Sequence, residues 1–247
     1  MTLTRRQWLH AGLAGLTLPP LAACTTLSTP TPGLHAQSAD VQVLVRARLR
    51  YWLYLPRAVA TEPGRRWPVM FFLHGSGERG KDLQAVRVHG PLKTLERQDD
   101  FPFIVVGPQA EAGTAWNAHL LHALLQHLLP TLPADPDRVV CTGLSMGGFG
   151  TWAWAAEYPQ DLAAIAPICG YGDEDRVDTL KTLPVWAFHG DADDAVPIGP
   201  HRALIAALRA AGAQPRFTEY PGVGHDSWTR AYDTPELLSW LLAQRRR

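Results

Sequence analysis

The sequence has few cysteines and no block of like charge. Only 3 of its 247 residues are cysteine. Cys141 and Cys169 have neither metal-ligand spacing nor a Cys-x-x-Cys partner, so we expect buried free thiols rather than a metal or redox site. Lys+Arg and Asp+Glu both count 23, and the only basic cluster is the final arginine triplet, residues 245–247. The composition therefore gives no indication of nucleic acid or a polyanion as a partner.

The first residues have the pattern of an export signal. Arg5 and Arg6 precede a modest apolar run at 11–18, which is too short to span a bilayer comfortably, and Leu-Ala-Ala-Cys ends at Cys24. The arginine pair resembles a twin-arginine signal, and the last four residues resemble a bacterial lipobox, whose cysteine is acylated. We predict removal of residues 1–23 and a lipid anchor at Cys24 that holds the exported protein on a membrane of the cell envelope. The alternative is a Sec signal or an uncleaved anchor, with Cys24 incidental.

The rest of the chain has the size of one domain. Residues 24–40 are rich in Thr, Ser and Pro without apolar periodicity, which is typical of a flexible tether. Removal of 23 residues from 247 leaves 224, which suits a single α/β domain with one core, here residues 41–247.

Apolar runs alternate with helical patterns over this domain. Residues 41–55 alternate apolar and charged side chains, which predicts antiparallel strands at a sheet edge, and 217–220 predicts the last edge strand. Central strands are predicted at 69–73, 103–106, 139–141, 164–166 and 185–188, and helices at 120–129, 151–157, 203–211 and 235–244. This order predicts an α/β fold with a mostly parallel sheet flanked by helices.

One Gly-x-Ser-x-Gly stretch follows an apolar run and precedes a helical pattern. The run at 138–141 leads into Gly143, Ser145 and Gly147. A nucleophile on a sharp strand-to-helix turn has a strained backbone that only small neighbours tolerate, so both glycines are expected to be sterically required. The helix that begins there directs N–H groups at the site. The alternative is a glycine-rich loop that merely joins a strand to a helix.

A second glycine-rich loop, residues 74–80, follows the predicted strand at 69–73. We predict that the N–H of Met146 and that of Ser76, with Gly77 as the other candidate, form an oxyanion hole. An ordinary glycine turn is the alternative. His74 and Glu78 are expected to hold this loop by hydrogen bonds rather than to act in catalysis.

The remaining candidates lie on the last two loops. One turn contains three aspartates, Asp191, Asp193 and Asp194. One of them could be a catalytic acid while the others form the turn or cap a helix. The three could instead form a cation site, although the sequence offers no further metal ligands there. Of the 10 histidines, only His225 follows the final strand in a Gly-flanked loop. The order serine, aspartate, histidine is that of an α/β-hydrolase triad.

These motifs resemble the α/β-hydrolase family, and within it the small phospholipase/carboxylesterases and the prolyl-oligopeptidase-like predicted peptidases. The resemblance is carried by residues 73–80, 137–138, 143–152, 167–170 and 224–228. It implies that Asp193 is the triad acid, since Asp193 occupies that place in the family's His-Gly-x-x-Asp-x-x-Val-Pro pattern. The chain is also similar in outline to dienelactone hydrolases, which carry cysteine in place of Ser145. The propeller domain of prolyl oligopeptidases is absent.

The resemblance implies a serine carboxylic-ester hydrolase that acts through Ser145, His225 and Asp193 on short-chain or aromatic acyl esters. Such an enzyme is expected to need no cofactor and no metal ion. We expect the protein to be a monomer. The segment 171–183 has many charges and few apolar residues, which argues against an amphipathic lid. Candidate pocket walls are Trp116, Tyr171 and Trp228, although aromatics near strand ends commonly belong to the core. A serine peptidase and a non-catalytic surface lipoprotein are the alternative functions.

Overall fold

The computed structural model describes residues 46–95 and 101–246. The predicted signal at 1–23, the lipidation site Cys24 and the tether at 24–40 lie outside the described residues, so these stay predictions. Within the described part of the chain, no helix is long and apolar enough to cross a membrane.

Seven strands form one sheet in the order β1-β3-β2-β4-β5-β6-β7. The only antiparallel pair among them is β1 with β3, and the remaining neighbours run parallel. The strands are β1 Arg50–Tyr54, β2 Trp67–Leu73, β3 Ile104–Gln109, β4 Ala134–Leu144, β5 Ala164–Ile168, β6 Trp186–Gly190 and β7 Arg216–Tyr220. The predicted mostly parallel sheet with an antiparallel edge is therefore observed.

Helices cover both faces of this sheet. They are α1 Gly90–Thr94, α2 Ala118–Leu128, α3 Met146–Glu157, α4 Val177–Leu180, α5 Ile198–Ala210, α6 Trp228–Tyr232 and α7 Pro235–Leu242. Residues of α2, α3, α4 and α5 pack with one face of β2, whereas residues of α1, α6 and α7 pack with the other. The central strands are buried on both faces for this reason, which explains their continuous apolar runs.

Several element boundaries differ from the sequence prediction. Helix α3 begins at Met146 rather than 151 and β4 begins at Ala134 rather than 139, and two further elements differ as follows. The alternating pattern at 41–55 predicted strands along its whole length. Within the described residues, however, a strand is present only at Arg50–Tyr54, because residues 46–49 are not paired with another strand. Helix α5 begins at Ile198 rather than 203, directly after Pro197. Gly199 and Pro200 have low helix propensity, so the sequence did not indicate a helix start before them. Both residues lie in the first turn of α5, where the backbone N–H groups have no intrahelical acceptor in any case.

Parallel strands direct their carboxyl ends to one edge of the sheet. The loops after β2, β4, β5, β6 and β7 leave that edge, and they carry the glycine-rich loop, Ser145, Cys169, Asp193 and His225, respectively. The topology therefore brings together side chains that are up to about 150 residues apart in sequence, from residue 74 to residue 225.

Candidate active site

Ser145 occupies the sharp turn between β4 and α3. Its backbone has φ +53°, in the left-handed region that side chains other than glycine rarely adopt. A Cβ on Gly143 would lie 2.5 Å from the carbonyl oxygen of Gly147, and a Cβ on Gly147 would collide with the carbonyl oxygen of Leu73. The turn therefore excludes any side chain at either glycine, as the sequence predicted.

The end of β5 supports this turn. The backbone N–H of Ser145 donates to the carbonyl oxygen of Ile168 at 2.9 Å, and the Cys169 Sγ lies 3.2 Å from the same nitrogen. Cys169 itself has φ +42°. Burial raises the pKa of its thiol to about 12, so the sulfur stays protonated. Cys169 is a buried free thiol, as expected, but its contact with Ser145 was not foreseen.

Ser145, His225 and Asp193 are in continuous contact. His225 Nε2 lies 2.9 Å from Ser145 Oγ, and His225 Nδ1 lies 2.8 Å from Asp193 Oδ2. The backbone N–H groups of Ala195 and Val196 donate to Asp193 Oδ1 at 3.0 and 2.8 Å. Burial raises the pKa of Asp193, but the hydrogen bonds from His225 and from these N–H groups outweigh it, so the pKa lies below its usual value. Asp193 is therefore ionised at neutral pH.

Backbone hydrogen bonds join the loop of Asp193 to the loop of His225. The N–H of Ala192 donates to the carbonyl oxygen of Val223 at 3.0 Å, and that of Asp191 donates to Tyr220 O at 3.2 Å. The Asp191 carboxylate accepts the N–H of Gly222 at 2.6 Å. Asp191 thus acts as a turn residue between the two loops. Asp194 is exposed.

The glycine-rich loop lies against Ser145 and is held by His74. The buried His74 ring accepts the N–H of Ala110 at Nε2 (3.0 Å), while its Nδ1 lies 2.6 Å from Gly75 O. Burial lowers the pKa of His74 to about 4, so the ring is neutral with its proton on Nδ1. A Cβ on Gly75 would be 3.7 Å from Ser145 Cβ. His74 has the structural role that the sequence predicted for it.

The predicted oxyanion donors open two helical segments at this place. Met146 is the first residue of α3, and Ser76 is the first residue of the short 3-10 helix Ser76–Glu78, which also contains Gly77. An N–H in the first turn of a helix has no intrahelical acceptor. These N–H groups therefore have no acceptor within their own helical segments.

The three aromatic pocket candidates lie in different surroundings. Trp228 packs edge-on against the His225 ring, with 5.3 Å between centroids, and lines a cavity of about 290 Å³ between α1, α6 and α7. Trp116 donates its indole N–H to His74 O at 3.1 Å and packs under α3, where a Cβ on Gly150 would strike it. Tyr171 contacts Phe149 edge-on at 4.8 Å. Only Trp228 of the three touches a residue of the candidate triad through a described ring contact.

The segment between β5 and β6 forms no large cover. It contains the 3-10 helix Glu174–Arg176 and the single turn α4, whose Leu180 is buried in the core. Within residues 46–95 and 101–246, no group of three or more His, Cys, Asp or Glu side chains is arranged to hold a metal ion.

The chain is similar in sequence to known proteins. The sequence model of the "Dienelactone hydrolase family" matches residues 110–234, which include Ser145, Asp193 and His225. A protein of Methylorubrum extorquens named as a carboxymethylenebutenolidase is 27% identical over 256 residues, which cover 91% of this chain and 84% of that protein. Carboxylesterase SOBER1 of Arabidopsis thaliana is 28% identical over 132 residues, or 51% of this chain and 58% of its own length.

Solved structures give the same fold. The crystal structure of a thermostable esterase superposes with a TM-score of 0.71 and 32% identity over 80% of this chain and 60% of that one. A ferulic acid esterase superposes with a TM-score of 0.58 at 19% identity, over 79% of this chain and 93% of the other, a likeness of fold alone. The predicted α/β-hydrolase fold is therefore confirmed.

Proposed function

The chain belongs to the dienelactone hydrolase family and is a carboxylester hydrolase; we propose that its catalytic triad is Ser145, His225 and Asp193. The observation that supports this assignment best is the unbroken chain of contacts from Ser145 Oγ through both ring nitrogens of His225 to Asp193 Oδ2, at 2.9 and 2.8 Å. The strained backbone of Ser145 adds to it, because strain of this kind is concentrated at functional sites.

In this mechanism Ser145 Oγ attacks the carbonyl carbon of the ester. His225 Nε2 takes the serine proton and returns it to the leaving alcohol, which leaves an acyl-enzyme. Water, activated by the same nitrogen, then hydrolyses the acyl-enzyme. Asp193 accepts a hydrogen bond from the Nδ1–H of His225, so it fixes the imidazole tautomer and stabilises the imidazolium that forms.

The oxyanion of the tetrahedral intermediate is assigned to the N–H of Met146 and to that of Ser76, with Gly77 as the alternative to Ser76. All three belong to the first turns of helical segments that face Ser145. Such a donor stabilises the transition state by roughly 3–4 kcal/mol. No cofactor takes part in any of these steps.

We propose short-chain and aromatic acyl esters as substrates. The segment between β5 and β6 contains only short helices, and Ser145 is half-buried rather than fully buried. The Trp228 ring beside His225 offers an apolar wall. The test is a panel of p-nitrophenyl esters of increasing acyl length, a benzoate, feruloyl esters and peptide anilides. Short and aromatic esters should show simple saturation. A jump in rate when a long-chain ester passes its solubility limit would contradict an open site.

The same panel separates the two alternative functions. A serine peptidase would cleave the peptide anilides with a higher kcat/KM than any ester. A non-catalytic binding lipoprotein would turn over none of the compounds. The serine at position 145, where dienelactone hydrolases carry cysteine, favours neither alternative and is compatible with simple esters.

We further propose that the protein is a monomer anchored to a membrane of the cell envelope through a lipid on Cys24. This rests on the apolar run that ends in Leu-Ala-Ala-Cys. Wild-type protein should partition into the membrane fraction, and Cys24→Ser should be released or left unprocessed. Equal partitioning of both forms would overturn the anchor, and light scattering of the detergent-solubilised protein would test the monomer.

A further inference from the structure

Two histidines that the mechanism does not use lie behind Asp193. His189 is at the end of β6 and His201 is in α5, and both side chains are completely buried. Their Nδ1 atoms are 2.8 Å apart. The other nitrogen of His189, Nε2, is 2.8 Å from Val196 O and 3.3 Å from Asp193 Oδ2, the oxygen that also contacts His225.

These distances determine where the protons are. The Nε2 of His189 faces two acceptors, a carbonyl and a carboxylate, so it must carry a hydrogen. Burial lowers the pKa of His189 below its usual value, so the ring is neutral and its Nδ1 is a bare acceptor. The proton between the two Nδ1 atoms therefore belongs to His201. Each N–H in this row points towards Asp193, in the order His201 to His189 to Asp193.

Packing alone does not account for this arrangement. The His201 ring contacts the rings of Trp152 and Phe217, and its Nε2 is buried with no hydrogen-bond partner. A buried nitrogen without a partner costs free energy that a phenylalanine of similar shape would avoid. Only the Nδ1–H of His201, donated to His189, offsets that cost.

We propose that His189 is a positioning residue for the triad: its Nε2–H donates to Val196 O in the turn that holds Asp193 and lies 3.3 Å from the Asp193 oxygen that accepts the Nδ1–H of His225, while His201 fixes the tautomer of His189. This inference rests on the proposed triad. The titratable groups that face His189 are Asp193, His201 and His225. Val196, whose carbonyl oxygen accepts the Nε2–H, also donates its own N–H to Asp193 Oδ1, so the hydrogen bond from His189 restrains the turn that carries the carboxylate.

The contact has an electrostatic consequence for His225. The positive end of the His189 N–H dipole, 3.3 Å from Asp193 Oδ2, offsets part of the negative charge of that oxygen, which weakens its attraction for the protonated form of His225. Loss of the donor should therefore shift the acid limb of the kcat/KM profile to higher pH. It should also lower kcat, because the carboxylate is less firmly oriented, while KM for a small ester changes little.

Two amide variants of the full-length protein test the proposal. His189→Gln places an amide N–H near the position of Nε2. His189→Asn instead places its carbonyl oxygen near the position of Nδ1, where it accepts the N–H of His201, and it leaves no donor near Nε2. We expect His189→Asn to lower kcat by about 10- to 100-fold, with KM within about twofold and the acid limb moved up by roughly half a pH unit. His189→Gln should retain most of kcat and the wild-type limb. His122→Leu, which removes a histidine from a buried aspartate elsewhere, is the control and should leave the limb unchanged.

The proposal is overturned if the Asn and Gln variants lose kcat equally with no change in the limb, or if His189→Asn behaves as wild type. A measurement on the unmodified protein avoids dependence on folding of the variants. Long-range ¹H–¹⁵N spectra should show His189 as the neutral Nε2–H tautomer and His201 as the Nδ1–H tautomer. A His201 protonated on Nε2 would contradict the proposal. If instead Ser145→Ala remains active, the proposed triad fails, whatever these spectra show.

Discussion

Two histidine–aspartate pairs among the described residues are nearly identical in geometry, yet only one of the two histidines also contacts a serine hydroxyl. In both His225–Asp193 and His122–Asp161, Nδ1 lies 2.8 Å from Oδ2. The histidine side chains are 28% and 30% exposed, and those of the aspartates are 0% and 3% exposed. Distance and burial therefore do not distinguish a catalytic pair from a structural one.

The difference lies in what surrounds each pair. Asp161 also accepts the Trp154 indole N–H at 2.9 Å, and the His122 ring stacks on Tyr158 at 4.1 Å, so this pair fastens α2 to α3 and the segment after it. At the other pair, the free ring nitrogen of His225 meets Ser145 Oγ. The two pairs therefore differ in the strained Ser145 beside His225, and this serine, rather than the histidine–aspartate contact, identifies the candidate active site.

Ser145→Ala has the largest expected effect on activity. It removes the hydroxyl that faces His225 Nε2, so kcat should fall by roughly 10⁴-fold or more. The melting temperature should remain nearly that of wild type, because alanine meets the same backbone strain and the hydroxyl is not part of the core. Turnover measured with p-nitrophenyl butyrate within tenfold of wild type would exclude Ser145 as the nucleophile.

The two aspartates should respond in opposite ways. Asp193→Asn should lower kcat by about 10³- to 10⁴-fold, because the wrong imidazole tautomer is then favoured. Asp161→Asn should leave kcat within about threefold and mainly lower the melting temperature. Asp191→Asn and Asp194→Asn should be mild in the same assay. A severe loss in Asp194→Asn would show that the acid of the triad has been assigned to the wrong residue.

Two buried histidines, His74 and His201, make the stability of the folded protein depend on pH. Burial lowers the pKa of His74 to about 4 and that of His201 to about 3. Between these values and 6.5, the unfolded chain binds protons that the folded protein does not, so stability is full above pH 6.5 and falls as the pH decreases. Each histidine contributes a slope of about 1.4 kcal/mol per pH unit.

Urea unfolding at several pH values between 4.5 and 6.5 measures this slope. His201→Phe should make it shallower by about one proton and leave the contribution of His74. An unchanged slope in that variant would show that His201 takes up its proton as readily in the folded protein as in the unfolded chain.

The smallest effect on activity is expected from His122→Leu. The substitution leaves buried Asp161 with the Trp154 indole as its remaining side-chain donor, so the free energy of unfolding should fall by about 1–3 kcal/mol. Because this pair has no nucleophile beside it, kcat/KM should change by less than twofold. A loss of activity comparable to that of Asp193→Asn would remove the distinction between the two pairs.

The sequence predicted the parallel sheet, the elbow and the order of the candidate triad because each depends on local signals. Apolar runs mark the buried strands, and small residues flank Ser145. Asp193 was assigned through a family pattern, since three aspartates share its turn and their spacing alone does not distinguish them.

Contacts between distant segments could not be predicted in this way. The row from His201 to Asp193 depends on how α5 packs against β6, and the contact between Cys169 and Ser145 depends on the register of β5 beside β4. No local pattern carries that information. The sequence does contain His189 directly before Gly190 and Cys169 directly after β5. These positions could be interpreted only after the order of the strands in the sheet was known.

The most direct test of the central claim is titration of the enzyme with a p-nitrophenyl phosphonate, followed by mass spectrometry of the digested protein. Such a reagent phosphonylates a serine whose proton is removed by an adjacent base. We predict one equivalent of nitrophenol per chain, complete loss of esterase activity, and a single adduct on the peptide that contains Ser145. Full inactivation with the adduct on another residue, or an active enzyme with Ser145 modified, would contradict the account.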